Sequence, residues 1–89
     1  MSSAQLTLIG KPGCHLCEVA RDVVDGVIAS LDAEPAAPVI ALDELSILDD
    51  AELHEKYWEK IPVLLVNGEV LDTWHVNAAR LRATLLEAK

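Results

Sequence analysis

The sequence contains no phenylalanine, and only Tyr57, Trp58 and Trp74 supply large aromatic side chains among its 89 residues. A hydrophobic core must therefore be built from aliphatic side chains, which is feasible because 52% of the residues are hydrophobic. A chain of this length suffices for one small domain and is too short for two. We therefore expect a single domain over residues 1–89, with a free energy of unfolding on the order of 5 kcal/mol.

Basic residues are also scarce. Seven lysines and arginines stand against 15 aspartates and glutamates, which gives a net charge of -8 at pH 7. The basic residues are scattered along the chain rather than clustered. Because an acidic surface repels phosphate groups, we expect neither nucleic acids nor anionic membranes as partners.

Long apolar runs are absent from the sequence. None approaches the roughly 20 residues that a membrane-spanning helix needs, and the first residues lack the basic start and apolar segment of a secretory signal. Two cysteines are too few for the disulfide framework of a small secreted domain. We therefore expect a cytoplasmic protein, in which a lone Cys-x-x-Cys pair typically has a redox or metal-binding role.

The apolar pattern predicts the element order β-α-β-α-β-β-α, an α/β fold with a four-stranded mixed sheet flanked by helices. The predicted strands and helices are, in chain order, 5–9, 14 to about 31, 38–42, 49–57, 62–66, 69–73 and 77–88. A β-helix-β unit favours a parallel strand pair with a right-handed crossover. Asn67-Gly68 predicts a type I′ hairpin turn, because both residues tolerate positive φ.

The same pattern makes finer predictions about burial and capping. The continuously apolar segment 38–42 suggests a strand buried on both faces, and Asp49 with Glu52 resembles a capping box that opens the short helix. In the long helix the residues expected to face the core are Leu16, Val19, Ala20, Val23, Val27 and Leu31. In the last helix they are Ala78, Leu81, Leu85 and Leu86.

The two cysteines, Cys14 and Cys17, lie where the first strand and its turn give way to the long helix. Unpaired N–H groups and the helix dipole favour a thiolate at a helix start, and Lys11 and His15 can add positive charge. The three-residue spacing places Cys17 one helical turn beyond Cys14. We therefore expect Cys14 to attack a disulfide and Cys17 to resolve the resulting mixed disulfide.

Other roles for the cysteine pair fit less well. A c-type haem attachment needs histidine after the second cysteine, where this chain has Glu18, and a structural zinc site needs four ligands. We expect no bound cofactor and no metal ligands within one chain. Two alternatives stay open: a carrier of a metal or of an iron–sulfur cluster shared between subunits, and a non-catalytic binding module.

Two stretches, LTLIGKPGCHLCEVA (residues 6–20) and KIPVLLVNGEVL (residues 60–71), resemble the small glutaredoxin-like branch of the thioredoxin-fold superfamily. The resemblance implies a thioredoxin/glutaredoxin fold and dithiol–disulfide oxidoreductase activity. It also implies that Pro62 is a cis-proline facing the cysteines and that the backbone of Ile61 binds an extended substrate. Lys11 and His15 are the further residues expected to contact substrate.

The chain departs from the glutaredoxin pattern at two places. His15-Leu16 replaces the usual Pro-Tyr between the cysteines, and Asp72 and Thr73 occupy the positions of the glycine pair at which the glutathione carboxylate docks. Glutathione therefore remains a candidate reductant for which we expect weak binding. Trp74 and His75 either replace that contact for a protein substrate or cap the last helix.

These features suggest a monomer that acts on a disulfide-containing protein or a small-molecule thiol. A reductase or glutathione would be its electron donor.

Overall fold

The structure, a computed structural model, describes residues 3–87. The elements are β1 (Ser3–Gly10), α1 (His15–Leu31), β2 (Val39–Ser46), α2 (Ala51–Tyr57), β3 (Val63–Val66), β4 (Glu69–Thr73) and α3 (Ala78–Glu87). The predicted element order is thus confirmed. Residue 88 of the predicted last helix, and both ends of the predicted 1–89 domain, lie outside the described residues.

The four strands form one mixed sheet in the order β2-β1-β3-β4. β1 is parallel to β2 and antiparallel to β3, and β3 is antiparallel to β4. The predicted parallel β1-α1-β2 unit and the predicted β3-β4 hairpin are both present. Among the helices of residues 3–87, none combines the length and the apolar character needed to cross a bilayer.

The two faces of the sheet carry separate apolar clusters, because successive side chains of a strand point to opposite faces. On one face α1 and α3 cover β1 and β3; the buried residues there include Leu6, Leu8, Val24, Leu64, Leu81 and Leu85. On the other face the short helix α2 covers one end of the sheet, where Tyr57 packs with Ile9, Ile47 and Val63. The core is aliphatic apart from Tyr57, in agreement with the composition.

The buried stripe of α1 differs from the predicted one. Its buried residues are Ala20, Val24, Val27 and Leu31, whereas Leu16 and Val19 are 40% and 41% exposed. Val23 and Val24 are adjacent, so the apolar pattern alone does not decide which of the two faces the sheet. Continuing the observed stripe backwards by three residues leads to Cys17, which takes the inward place that was assigned to Leu16.

The prediction that β2 is buried on both faces is wrong, because β2 is an edge strand of the sheet. Val39 is 62% exposed and Ala41 and Asp43 are also exposed, since α2 covers only the other end of that face. Ile40 and Leu42 instead pack against the cluster under α1 and α3. The strand also continues to Ser46, four residues beyond the predicted end at residue 42.

The N-cap of α2 is Asp50 rather than Asp49. The Asp50 carboxylate accepts hydrogen bonds from the backbone N–H groups of Glu52 at 2.9 Å and Leu53 at 3.4 Å. Position N3 is therefore Leu53, and the predicted capping box with Glu52 does not form. In the sequence, Asp49 and Asp50 are equivalent candidates for the N-cap, and the path of the backbone out of β2 places Asp50 there.

The β3-β4 turn and the last helix agree with prediction in most details. Asn67 and Gly68 have φ values of 51° and 86°, as a type I′ turn requires. In α3, Leu81 and Leu85 are buried and Leu86 is half-buried, whereas Ala78 is exposed. The prediction for Ala78 was wrong: as the first residue of the helix it lines an open groove with α1 residues such as Val23 and stays exposed.

Replacing Leu64, which is fully buried between the sheet and the helices, tests the core. We expect Leu64→Ala to lower the free energy of unfolding by about 2–5 kcal/mol, since it removes apolar contacts and leaves a cavity. The matched control is Leu48→Ala, because Leu48 is 65% exposed and its loss should change stability by less than about 0.5 kcal/mol. Urea unfolding followed by circular dichroism measures both, and equal losses would contradict the assignment of the core.

Candidate active site

Three segments meet at one edge of the sheet. The strand register aligns Ile9 of β1 with Val63 of β3, and Val63 with Thr73 of β4. The next residues outward, Gly10, Pro62 and Trp74, therefore form a row across three neighbouring strands, which lie about 5 Å apart. The loop that leads into the cysteine motif leaves the sheet at this row.

Cys14 is the N-cap residue of α1. Its backbone is extended, with φ -91° and ψ 111°, and its Sγ accepts a hydrogen bond from the backbone N–H of Cys17 at 3.3 Å. The N–H groups of a first helical turn have no partner within the helix. The sulfur of Cys14 thus takes the place that a capping oxygen usually fills, facing donors rather than acceptors.

Cys17 lies one turn further on, at the start of the buried stripe of α1. Burial, the hydrogen bond to Cys14 and the negative charge of Cys14 raise the pKa of the Cys17 thiol from 9.0 to about 11, although Lys11 acts in the opposite direction. At neutral pH Cys17 is therefore a protonated thiol. The two cysteines have unequal environments, and both are free thiols in this structure.

The Cys17 side chain packs directly against Gly10. A Cβ atom at Gly10 would lie 2.8 Å from Sγ and 3.1 Å from Cβ of Cys17, so any side chain at position 10 forces the Cys17 side chain to shift. Gly10 is the last residue of β1. The need for glycine comes from the close approach of the half-buried Cys17 to the end of β1, which exists only after folding.

The loop before β3 has the conformation that the resemblance implied at its proline. The Ile61–Pro62 peptide bond is cis, Pro62 is fully buried and Ile61 is half-buried. Within residues 3–87, neither the N–H nor the C=O of Ile61 has a hydrogen-bond partner. The loop therefore presents one backbone donor and one acceptor beside the cysteine loop.

Trp74 closes the row on the far side of Pro62. Its backbone N–H donates to Pro62 O at 2.8 Å and also lies 3.3 Å from Lys60 O, while its indole Nε1–H donates to Glu59 O at 2.9 Å. Its φ is 65°, a region that costs a bulky residue about 1–3 kcal/mol. The side chain nevertheless remains 52% exposed.

Asp72 is an internal anchor for the start of α3. Its Oδ1 pairs with Nη1 of Arg80 at 2.6 Å and its Oδ2 accepts from the backbone N–H of Asn77 at 3.0 Å. The Asn77 side chain in turn accepts from the Arg80 backbone N–H at 2.9 Å. Side chains of the protein itself therefore already accept from the backbone N–H groups of Asn77 and Arg80 at the start of α3.

Lys11 and His15 are both exposed, and of the two only Lys11 affects the pKa of Cys17. The backbone N–H and the ammonium group of Lys11 both favour the thiolate form of Cys17 and so partly lower its pKa. His15 is the first residue of α1, and no hydrogen bond involves its side chain within residues 3–87. The substrate contacts expected of these two residues stay predictions.

A groove of about 420 Å³ opens beside Cys17 on the β2 side of the motif. Arg21 and Glu44, both on its wall, form an ion pair at 3.0 Å that ties α1 to β2. Across residues 3–87, no three histidine, cysteine, aspartate or glutamate side chains are grouped so that they could hold a metal ion. A metal at the cysteine pair would take only two ligands from this part of the chain.

Comparison with known proteins identifies the family. The profile of the family described as "Glutaredoxin-like domain (DUF836)" matches residues 5–86. The chain belongs to this glutaredoxin-like family. No curated protein matches its sequence significantly.

Solved structures agree with the glutaredoxin-like assignment. The solution structure of protein XcR50 from X. campestris is 34% identical over 100% of this chain and 97% of that one, with a TM-score of 0.70. Protein Ne2328 from Nitrosomonas europaea is 21% identical over 96% and 94%, with a TM-score of 0.69. Mitochondrial thioredoxin 3 from Saccharomyces cerevisiae is 9% identical over 96% and 78%, with a TM-score of 0.60. The glutaredoxin-like domain thus has a thioredoxin-like fold.

Adding a methyl group at Gly10 tests the packing of Cys17. We expect Gly10→Ala to destabilise the glutaredoxin-like domain and to slow closure of the Cys14–Cys17 disulfide, because the new Cβ displaces the Cys17 side chain. The control is Gly26→Ala, where an added Cβ meets nothing within 4 Å and should stabilise α1 by about 0.5–1 kcal/mol. Thermal unfolding and the rate of thiol loss with a chemical oxidant measure the two effects. Equal behaviour of both variants would refute the contact.

The pH dependence of Cys17 follows from its raised pKa. In the reduced protein we expect the ¹³Cβ chemical shift of Cys17 to titrate near pH 11, and Cys14→Ala to lower that midpoint while burial keeps it above 9.0. A thiol whose pKa rises on folding stabilises the fold fully below its unfolded pKa of 9.0 and loses that contribution as the pH passes about 11. The stability of Cys17→Ser should therefore fall less steeply over this window. A Cys17 midpoint at or below 9.0 would contradict the assignment.

Proposed function

We propose that this glutaredoxin-like domain is a dithiol–disulfide oxidoreductase, with Cys14 as nucleophile and Cys17 as resolving cysteine. The observation that carries the proposal is the unequal placement of the two sulfurs. Cys14 Sγ caps α1 and accepts the Cys17 N–H at 3.3 Å, whereas Cys17 lies on the buried stripe with a pKa of about 11. The N-cap position of Cys14 suits a nucleophile, because a hydrogen-bond donor faces its sulfur. The position of Cys17 suits a resolving thiol, which stays protonated until the mixed disulfide has formed.

The reaction proceeds in two exchanges. The Cys14 thiolate attacks one sulfur of a substrate disulfide, the substrate S–S bond breaks, and the leaving sulfur takes up a proton. Cys17 then loses its proton and attacks Cys14 Sγ, which releases the second substrate thiol. The substrate gains two electrons and two protons, and the domain is left with a Cys14–Cys17 disulfide that an external dithiol or two monothiols must reduce.

Attack on Cys14 requires Cys17 to become a thiolate, and formation of the mixed disulfide assists this step. Two of the causes that raise the pKa of Cys17 are its hydrogen bond to Cys14 and the negative charge of Cys14. Both disappear once Cys14 is bonded to substrate sulfur, while the backbone N–H and ammonium group of Lys11 still favour the Cys17 thiolate. The intermediate therefore lowers the barrier to its own resolution.

Substrate docking is proposed at the loop before β3. The free N–H and C=O of Ile61 can pair with an extended segment of the substrate, as an added strand would. Pro62 is buried beneath this segment, and Lys11 and His15 are exposed on the cysteine side. A segment held here lies next to Cys14 at the row of Gly10 and Pro62.

We propose a disulfide-bearing protein or a small-molecule thiol as the partner, and a reductase in preference to glutathione as the electron donor. Asp72 stands where the glutaredoxin pattern has glycine, and its carboxylate already occupies the Asn77 N–H and the Arg80 guanidinium. A glutathione carboxylate would have to displace it. We further propose that the domain acts as a cytoplasmic monomer without resident cofactor and without nucleic-acid or membrane partners.

Serine substitutions test the two cysteine roles. We expect Cys14→Ser to abolish reduction of a model disulfide such as insulin, because no nucleophile remains. Cys17→Ser should retain the first exchange and accumulate a mixed disulfide detectable by mass spectrometry. Asp43→Asn is the control, since Asp43 is exposed on β2 away from the motif, and it should keep wild-type turnover.

Three outcomes would contradict the proposal. Reductase activity in Cys14→Ser would show that the reaction does not use this thiol. A stoichiometric metal or a visible chromophore after anaerobic purification would favour the carrier alternative. Cysteine thiols that react with none of the disulfide substrates, whichever reductant is supplied, would favour a binding module. Comparing glutathione with thioredoxin reductase as reductants of the oxidised domain identifies the donor pathway.

A further inference from the structure

We infer that Trp74 determines substrate specificity by holding a bulky apolar side chain of a polypeptide beside the disulfide that Cys14 attacks. The inference rests on the proposed function and adds to it the class of substrate. The occupant of the exposed Trp74 ring and the neighbouring Ile61 backbone is thus an extended polypeptide, with an apolar residue next to its cysteine.

The position of Trp74 follows from the strand register. Ile9, Val63 and Thr73 are aligned across β1, β3 and β4, so Trp74 is one strand beyond Pro62, on the side away from the cysteine loop. A substrate segment paired with Ile61 would run along Pro62 between these two sides. Trp74 is therefore placed to contact the side chains of that segment.

The side chain of Trp74 is held in a fixed position. Its indole N–H donates to Glu59 O at 2.9 Å and its backbone N–H to Pro62 O at 2.8 Å, so both ends of the residue are tied to the loop on either side of Ile61. Its φ of 65° is unfavourable for a bulky residue. Such strain is found mainly at functional sites, and a restrained aromatic ring loses little conformational entropy when it binds a partner.

The exposure of Trp74 points to an apolar contact. The residue is 52% exposed although its only polar group already has a partner, so its free surface has no hydrogen bond left to offer. The Ile61 side chain is half-buried against the cluster around Tyr57, whereas its neighbours Lys60 and Pro62 direct their carbonyl groups at the Trp74 N–H. By contrast, the similarly exposed Trp58 stacks against His54, with ring centroids 6.4 Å apart and an interplanar angle of 10°.

A polypeptide fits these features better than a small charged thiol. Ile61 offers a backbone donor and acceptor that match an extended chain. At the start of α3, Asp72 and the Asn77 side chain already accept from the backbone N–H groups of Asn77 and Arg80, which leaves fewer donors for a carboxylate. This edge therefore offers a substrate the unpaired backbone groups of Ile61 and the exposed apolar surface of Trp74.

Two matched peptide disulfides test the inference. They are identical except for leucine or glycine next to the reacting cysteine, and their kcat/KM values are compared for wild type, Trp74→Asn, Trp74→Phe and Trp58→Ala. Asparagine tolerates positive φ, so Trp74→Asn removes the ring without adding backbone strain. Trp74→Phe keeps an apolar aromatic ring but loses the five-membered ring of the indole together with its N–H.

We expect the wild-type protein to prefer the leucine peptide by about tenfold, mainly through KM. Trp74→Asn should lose most of that preference, whereas Trp74→Phe and Trp58→Ala should keep it. Equal rates for the two wild-type reactions, or an unchanged preference in Trp74→Asn, would overturn the inference and leave the proposed function intact. A wild-type protein that reduces neither peptide would overturn both. Thermal unfolding confirms that each variant is folded.

Discussion

The contact between Cys17 and the backbone of Gly10 is the constraint on which the rest of the site depends. It sets the rotation of α1 about its axis, because Cys17 heads the same stripe as Ala20, Val24 and Val27. With Cys17 against the sheet, the helix start places Cys14 one turn earlier, at the N-cap. The burial that raises the pKa of Cys17 and the hydrogen bond to Cys14 Sγ therefore both follow from the rotation of α1.

The edge of the sheet adds to this arrangement the docking place that we propose. Antiparallel pairing brings the loop before β3 and the residue after β4 into line with the end of β1. The backbone of Ile61 is left without partners among the described residues, while Trp74 and Asp72 fill the space beyond Pro62 with groups already bound to the protein. A thioredoxin-like fold therefore carries here an edge that differs in chemistry from the glutaredoxin pattern.

The elements of the fold were largely predictable, because each has a strong local signal. The Asn67-Gly68 turn, the cysteine pair at the start of α1 and the order of strands and helices follow from turn chemistry and apolar periodicity. Errors arose where two residues were locally equivalent: Val23 or Val24 as the buried valine, and Asp49 or Asp50 as the cap. In both cases packing or chain path decides between residues that have the same intrinsic preference.

The sequence by itself determined the pair of thiols, their spacing and their place at the start of α1, because these are properties of neighbouring residues. Only the tertiary structure decided that β2 is an exposed edge strand, that a side chain at position 10 would collide with Cys17 and that Trp74 lies in line with Pro62. These facts depend on residues far apart in the chain, which sheet pairing alone brings together. Local pattern carries no information about such partners, because the contacts exist only after the strands have paired.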